Sequence, residues 1–157
     1  MSIKKIEELN KLLLEIENVI PFKDIINTKI SASDIGWQLD HSLKVINSIC
    51  TLLEKKHSKK YKKDFNLLRL ILFAIGFIPR GKAKAPKFVN TQEAISDKDL
   101  YEQLNTAKGH FKNIYRLDKN AYFVHHVFGT LSKKKTIRFL EIHTKHHLKI
   151  VNDILNN

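Results

Sequence analysis

Two of the chain's eight histidines, His143 and His147, stand one helical turn apart in the stretch Ser132–Leu155. Wound at about 100° per residue, that stretch gathers Phe139, Leu140, His143, His147, Ile150, Val151 and Ile154 on one apolar face. Lys135, Arg138, Glu141, Lys145, Lys149, Asn152 and Asp153 fall opposite. An imidazole inside an apolar stripe costs about 1–3 kcal/mol unless it is bonded. A metal ion answers this pattern. Side chains four apart on a helix stand about 6 Å from each other, so two ring nitrogens can meet one ion at about 2.1 Å. The competing reading is a pair of core histidines bonded to neutral partners; the shared register favours ligands. His146 lies at the edge of the stripe, beside the pair or at the surface.

A third ligand must come from another element. His41 is the best candidate, because it flanks an apolar arc one turn after Trp37. A histidine bonded to backbone or solvent explains that position equally well. His125 and His126 come next, in a segment able to fold over one end of the molecule, whereas His57 and His110 sit among polar residues and read as solvated. Three imidazoles leave a coordination position open, as catalytic rather than structural sites do.

Helices must carry these residues. Ile3, Ile6, Leu9, Leu13 and Ile16 recur at helical spacing over Ser2–Glu17, and Pro21 closes that helix. A second is expected from about Ser33 to Lys55, with Ser31 or Ser33 as N-cap and Asp34 in its first turn. A third, about Asp64–Phe77, is apolar nearly all round and reads as buried; Gly76 and Pro79 end it. Residues 78–95 show no periodicity. Ser96 and Asp99 form a capping box for a fourth helix reaching about Tyr115, and Tyr122–Gly129 reads as irregular before Ser132 caps the last. The expectation is an all-α, antiparallel four-helix bundle with one shorter helix, forming a single domain over residues 1–157.

Composition narrows the class. The single cysteine excludes an internal disulfide and fits a reducing cytoplasm. Charges at Lys4, Lys5, Glu7 and Glu8 argue against a signal peptide, and the longest apolar run, Phe65–Ile78, is too short to span a bilayer, so no membrane partner is expected. The net charge of +12 admits nucleic acid or another anionic partner. Lysines spread along the chain favour a solvated surface instead. Cys50 lies opposite His41 around its helix, so the geometry for a dyad between them is poor and Cys50 reads as a packing residue, and no Gly-rich phosphate loop is present.

Trp37 with His41 on an early helix, and His143-Thr144-Lys145-His146-His147-Leu148 on the last, resemble the DinB/YfiT-like superfamily. The element His126-Val127-Phe128-Gly129-Thr130-Leu131 is similar to a branch of it that carries a His-x-Phe-Gly-x-Leu element before the last helix. The resemblance covers the chain from Gly36 onward. It implies a bundle in up-down-down-up order and a divalent metal held by His41, His143 and His147. It also implies a small-molecule substrate, since characterised relatives include thiol S-transferases and a maleylpyruvate isomerase. Ile150 stands where a Gln often follows the last ligand.

The function expected is a cytoplasmic, divalent-metal-binding protein, plausibly a metal-dependent thiol S-transferase, with a homodimer as its assembly. Three imidazoles suit Zn, Ni, Fe(II) or Cu alike. His126 is the candidate for an accessory proton acceptor, and the basic loop Arg80–Lys87 for a carboxylate holder. The alternatives are a non-catalytic basic module binding nucleic acid or another anion, and a bundle whose site has decayed.

Overall fold

The computed structural model describes residues 3–55, 61–80 and 94–157. The fold is mostly helical, with one small sheet. α1 (Ile3–Val19) ends in a 3-10 turn at Ile20–Phe22 containing Pro21. α2 spans Ile35–Glu54, α3 Leu67–Ile75, α4 Asp97–Asn113 and α5 Lys133–Asn156. Strands β1 (Tyr122–His125) and β2 (Gly129–Ser132) pair antiparallel between α4 and α5. α1 and α2 each pack against both α4 and α5, and α5 also meets the hairpin and α3. The core is built from helical stripes such as Ile6, Leu9, Leu13 and Ile16 of α1, and Leu100, Leu104, Ala107 and Phe111 of α4.

The capping box at Ser96 and Asp99 is formed, and Gly76 ends α3 with φ of 70°. At α2 the cap is shifted by one residue. Asp34 itself is the N-cap, its carboxylate accepting from the Trp37 N–H at 2.7 Å. The next two amides donate to loop carbonyls, Ile35 to Ile25 and Gly36 to Lys23, which fixes where the chain turns into the helix. Ser132 occupies the N-cap of α5, but its side chain makes no capping bond.

Two expectations are corrected. The segment after Tyr122 is not irregular; it is the hairpin, turned by residues 126–128. The His125 Nδ1 accepts from the Val127 and Phe128 amides at 3.0 and 3.2 Å, and Gly129 takes φ of 66°. A side chain at Gly129 would also place its Cβ 2.2 Å from the Asp64 carboxylate. The second correction concerns α3. Leu67, Leu68, Leu70, Ile71 and Ile75 are exposed, and so are Phe65 and Phe77. Its one buried residue is the arginine, Arg69.

Arg69 ties this region to the hairpin. Its guanidinium donates to the Asp64 carboxylate at 2.8 Å, the Phe128 carbonyl at 2.7 Å and the Asp64 carbonyl at 2.7 Å. Asp64 in turn accepts from the Thr130 amide at 2.8 Å, and Asn66 donates to the Val127 carbonyl. Burial alone would raise the Asp64 carboxyl; the bonds from Thr130 and Arg69 outweigh it and hold the group below its ordinary range.

Candidate metal centre

His41 is positioned by α2, and His143 and His147 by α5, the two helices being packed against each other. α2 is fixed in rotation by a polar seam on its α4 side. Gln103 donates to Asp40 at 2.8 Å, Asp40 pairs with Lys44, and Asn47 donates to the Gln103 carbonyl. That leaves His41, the next residue, to face α5. Its ring stacks on Trp37 at 5.0 Å and 5°.

The three imidazoles converge. Ring centroids lie 5.2 Å apart for His41 and His143, 4.7 Å for His41 and His147, and 4.6 Å for His143 and His147. One ligand atom from each falls within 4.8 Å of the others, a grouping that could hold a metal ion. His41 and His147 are buried and His143 is half-buried. Burial drives the His143 and His147 rings well below the ordinary histidine range, and the neighbouring imidazoles add to it, His41 foremost for His143 and His143 for His147. His143 and His147 are thus kept neutral, as ligation requires.

Two details bear on whether the residues fit a metal. The His143 Nδ1 is buried and has no hydrogen-bond partner, an orphan in a position where polar atoms are ordinarily satisfied. The His147 Nδ1 lies 2.7 Å from the Gln38 Oε1. Since that oxygen only accepts, Nδ1 carries the hydrogen and the Nε2 lone pair is left for a ligand. Gln38, itself buried, is oriented by its amide donating to the Ser31 hydroxyl at 3.2 Å, which also accepts from the Ser33 amide. Ligand atoms at about 2.1 Å from a tetrahedral centre stand about 3.4 Å apart, and the three atoms here all lie within 4.8 Å of one another.

The other histidines divide. His125 is half-buried, its ring 4.9 Å from Phe139, which in turn contacts His143 at 5.5 Å. Burial, and then His126, push it down to about 4. His126 is exposed and stacks on His125 at 4.5 Å, so that His125 and Phe139 link it to the triad. Neither belongs to the grouping that could hold a metal. His146 is half-buried, edge-on to His147, and lowered by burial and by Arg80 while hydrogen-bonded to the Ile78 backbone. His110 is not simply solvated: its Nδ1 lies 2.8 Å from Glu54 in a partly buried pair. His57 lies outside the described residues.

Arg80, expected to hold a carboxylate, has one already, in Asp153 of α5. Lys82, Lys84 and Lys87 fall outside the described residues. Cys50 is buried, and desolvation pushes its thiol up to about 12, so it is a packing residue. Sequence reasoning missed Gln38, Arg69 and Asp64. Gln38 carries a usable signal, since it precedes His41 by three residues and shares its face. Comparison with protein-family models, with curated proteins and with solved structures gives no match.

Proposed function

We propose that His41, His143 and His147 hold one divalent metal ion, in a DinB-like four-helix bundle with helices running up, down, down and up. The observation that carries this is the convergence of three imidazoles, from two helices, with one ligand atom of each within 4.8 Å of the others. The orphaned His143 Nδ1 and the bond that fixes the His147 tautomer support it. The pairing of α1 and α2 with both α4 and α5 supports the bundle.

The reaction class proposed is transfer to or from a small-molecule thiol. A bound divalent ion with an open position supplies Lewis acidity, lowering the pKa of a thiol or water at neutral pH. The chain's own part is to hold the rings in register through Gln38 and Trp37, and to keep those of His143 and His147 unprotonated by burial. No carboxylate belongs to the grouping, so the charge of an ion there is left for an anionic substrate to balance. A proton-accepting role for His126 requires a substrate that extends from the triad across Phe139 to the hairpin tip.

Elemental analysis of protein purified without an affinity tag tests the reading. About one divalent ion per chain is expected after incubation with zinc or nickel and gel filtration, lost in His143→Ala and His147→Ala variants that keep their helical circular dichroism. Wild type and variants equally free of metal would end it.

A further inference from the structure

The basic charge is not spread evenly. Residues 55–92 hold eleven of the chain's 28 basic side chains and one of its 16 acids, leaving 17 against 15 elsewhere. Most of the net +12 therefore belongs to one stretch of sequence, which corrects the even distribution expected from the chain as a whole. In the middle of that stretch lies α3.

α3 turns a narrow seam toward the protein. Arg69, Leu72, Phe73 and Gly76, three and four apart, are buried or half-buried. The opposite face is apolar and open: Phe65 is 82% exposed, Leu67 57%, Leu70 59% and Ile75 64%, with Leu68 and Ile71 beside them. A contiguous patch of this kind is uncommon on a monomer and marks a place where something docks. Lys63 and Lys135 line one groove with Phe65, Leu70 and Phe73, a space of about 490 Å³. Lys135 is lowered from its ordinary range by burial, then by the nearby Arg69 and Lys63, so cations are gathered here. The only carboxylate lining that groove, Asp64, is already bonded to Arg69 and the Thr130 amide.

The occupant must offer apolar depth and negative charge together. A second copy of the chain offers the first but brings the same basic stretch with it. Nucleic acid offers the second and leaves the leucines in water. An anionic bilayer offers both: its acyl boundary takes an apolar helix face, and its phosphates meet flanking lysines. No helix among the described residues is long and apolar enough to cross a membrane, so the contact is with the surface, a departure from the expectation of no membrane partner, which rested on spanning length alone. We infer that the outer face of α3 seats the protein on an anionic lipid bilayer. Phe65, Leu68, Ile71 and Ile75 enter the acyl boundary, and Lys62, Lys63 and Lys135 meet headgroup phosphates. The Arg69–Asp64 bonds hold α3 in place for this.

Co-sedimentation of the full chain with vesicles tests it, comparing phosphatidylcholine alone with a mixture containing about one third phosphatidylglycerol. Binding is expected to the mixture only, to weaken as salt rises, and to fall about tenfold in Leu68→Glu/Ile71→Glu and in Lys63→Glu/Lys135→Glu. All four positions are exposed or half-buried at the surface, and unchanged thermal melts establish that the variants fold. Wild type left in the supernatant with the anionic vesicles at low salt overturns the inference. So does vesicle binding indifferent to Leu68→Glu/Ile71→Glu. A dimer in analytical ultracentrifugation that these two substitutions dissolve, without vesicle binding, assigns the face to a second copy. Retention of duplex DNA insensitive to them, again without vesicle binding, assigns the charge to nucleic acid.

Discussion

α5 and α3 break the same rule in opposite directions. α5 carries imidazoles at positions where a core helix presents leucine, and α3 carries leucines where a surface helix presents lysine. Buried polar groups and exposed apolar patches are the informative exceptions to hydrophobic burial, because each lowers stability unless something absent from the bare chain compensates. For α5 the partner proposed is a small cation held among buried and half-buried rings. For α3 it is a broad, apolar and anionic surface met on an exposed face. The contrast separates a candidate reaction centre from a candidate docking face, and Arg69 with Asp64 joins one to the other through the hairpin.

The largest effect expected is at that junction. Arg69→Ala removes a buried guanidinium that reaches the Asp64 carboxylate and three backbone carbonyls, Phe128, Thr130 and Asp64. The carbonyls are left without their donor and the Asp64 carboxylate without its cation, at a cost of about 3 kcal/mol. Urea unfolding measures the loss, and faster hydrogen exchange at the Thr130 amide locates it in the hairpin. A loss below about 1 kcal/mol would show that α3 and the hairpin are held by packing instead.

How far these features could be read from residues alone differs for physical reasons. His143 and His147 are legible because the 3.6-residue period of α5 is unbroken, so two polar positions stand out from an apolar stripe. His41 is legible through the apolar arc it borders. Gln38 is not, since the bond that gives it meaning is to a residue 109 positions away. The hairpin escapes notice partly for the same reason, since its Gly129 is fixed by the approach of Asp64 from far along the chain. Its turn is held locally, by the His125 ring on the amides two and three residues on, a use of histidine that residue type alone does not announce. α3 is legible as a helix but not as a surface. A segment apolar on every side has no periodicity to say which face is covered, and composition then suggests burial where the structure shows exposure. At the start of α2, Ser31, Ser33 and Asp34 are all cap-forming types; loop bonds to Ile35 and Gly36 decide among them.

A middle-sized effect sharpens the reading of α5. If the triad is retained for a ligand and not for stability, His143→Leu should stabilise metal-free protein by about 1 kcal/mol while abolishing metal uptake, because it removes a buried nitrogen that has no partner. The sign with pH follows. Folded, His143 is neutral far below its ordinary range; unfolded, it takes a proton as pH drops below 6.5. Metal-free wild type therefore loses stability as pH falls from about 6.5, at up to about 1.4 kcal/mol per pH unit for each such ring, and His143→Leu loses less. Thermal melts with a chelator, from neutral to mildly acidic buffer, read both. A leucine variant less stable than wild type at neutral pH would mean that the ring is part of the packing.

The smallest effect belongs to α3, and its smallness is the point. Leu68 is 49% exposed, and replacing a surface leucine of this kind moves stability by no more than about 0.5 kcal/mol. Leu140 of α5, fully buried, offers the contrast: Leu140→Ala removes a core side chain at a cost of about 2–5 kcal/mol. Leu68→Gln measured beside Leu140→Ala, in buffer without lipid, therefore asks whether the outer face of α3 is bare when the protein is free in solution. A near-zero change leaves the face available for a partner met later. A cost above about 1.5 kcal/mol means that the face is already covered in solution. Repeating the melt at tenfold different protein concentration then separates the sources, since cover by a second copy weakens on dilution and cover from within the chain does not.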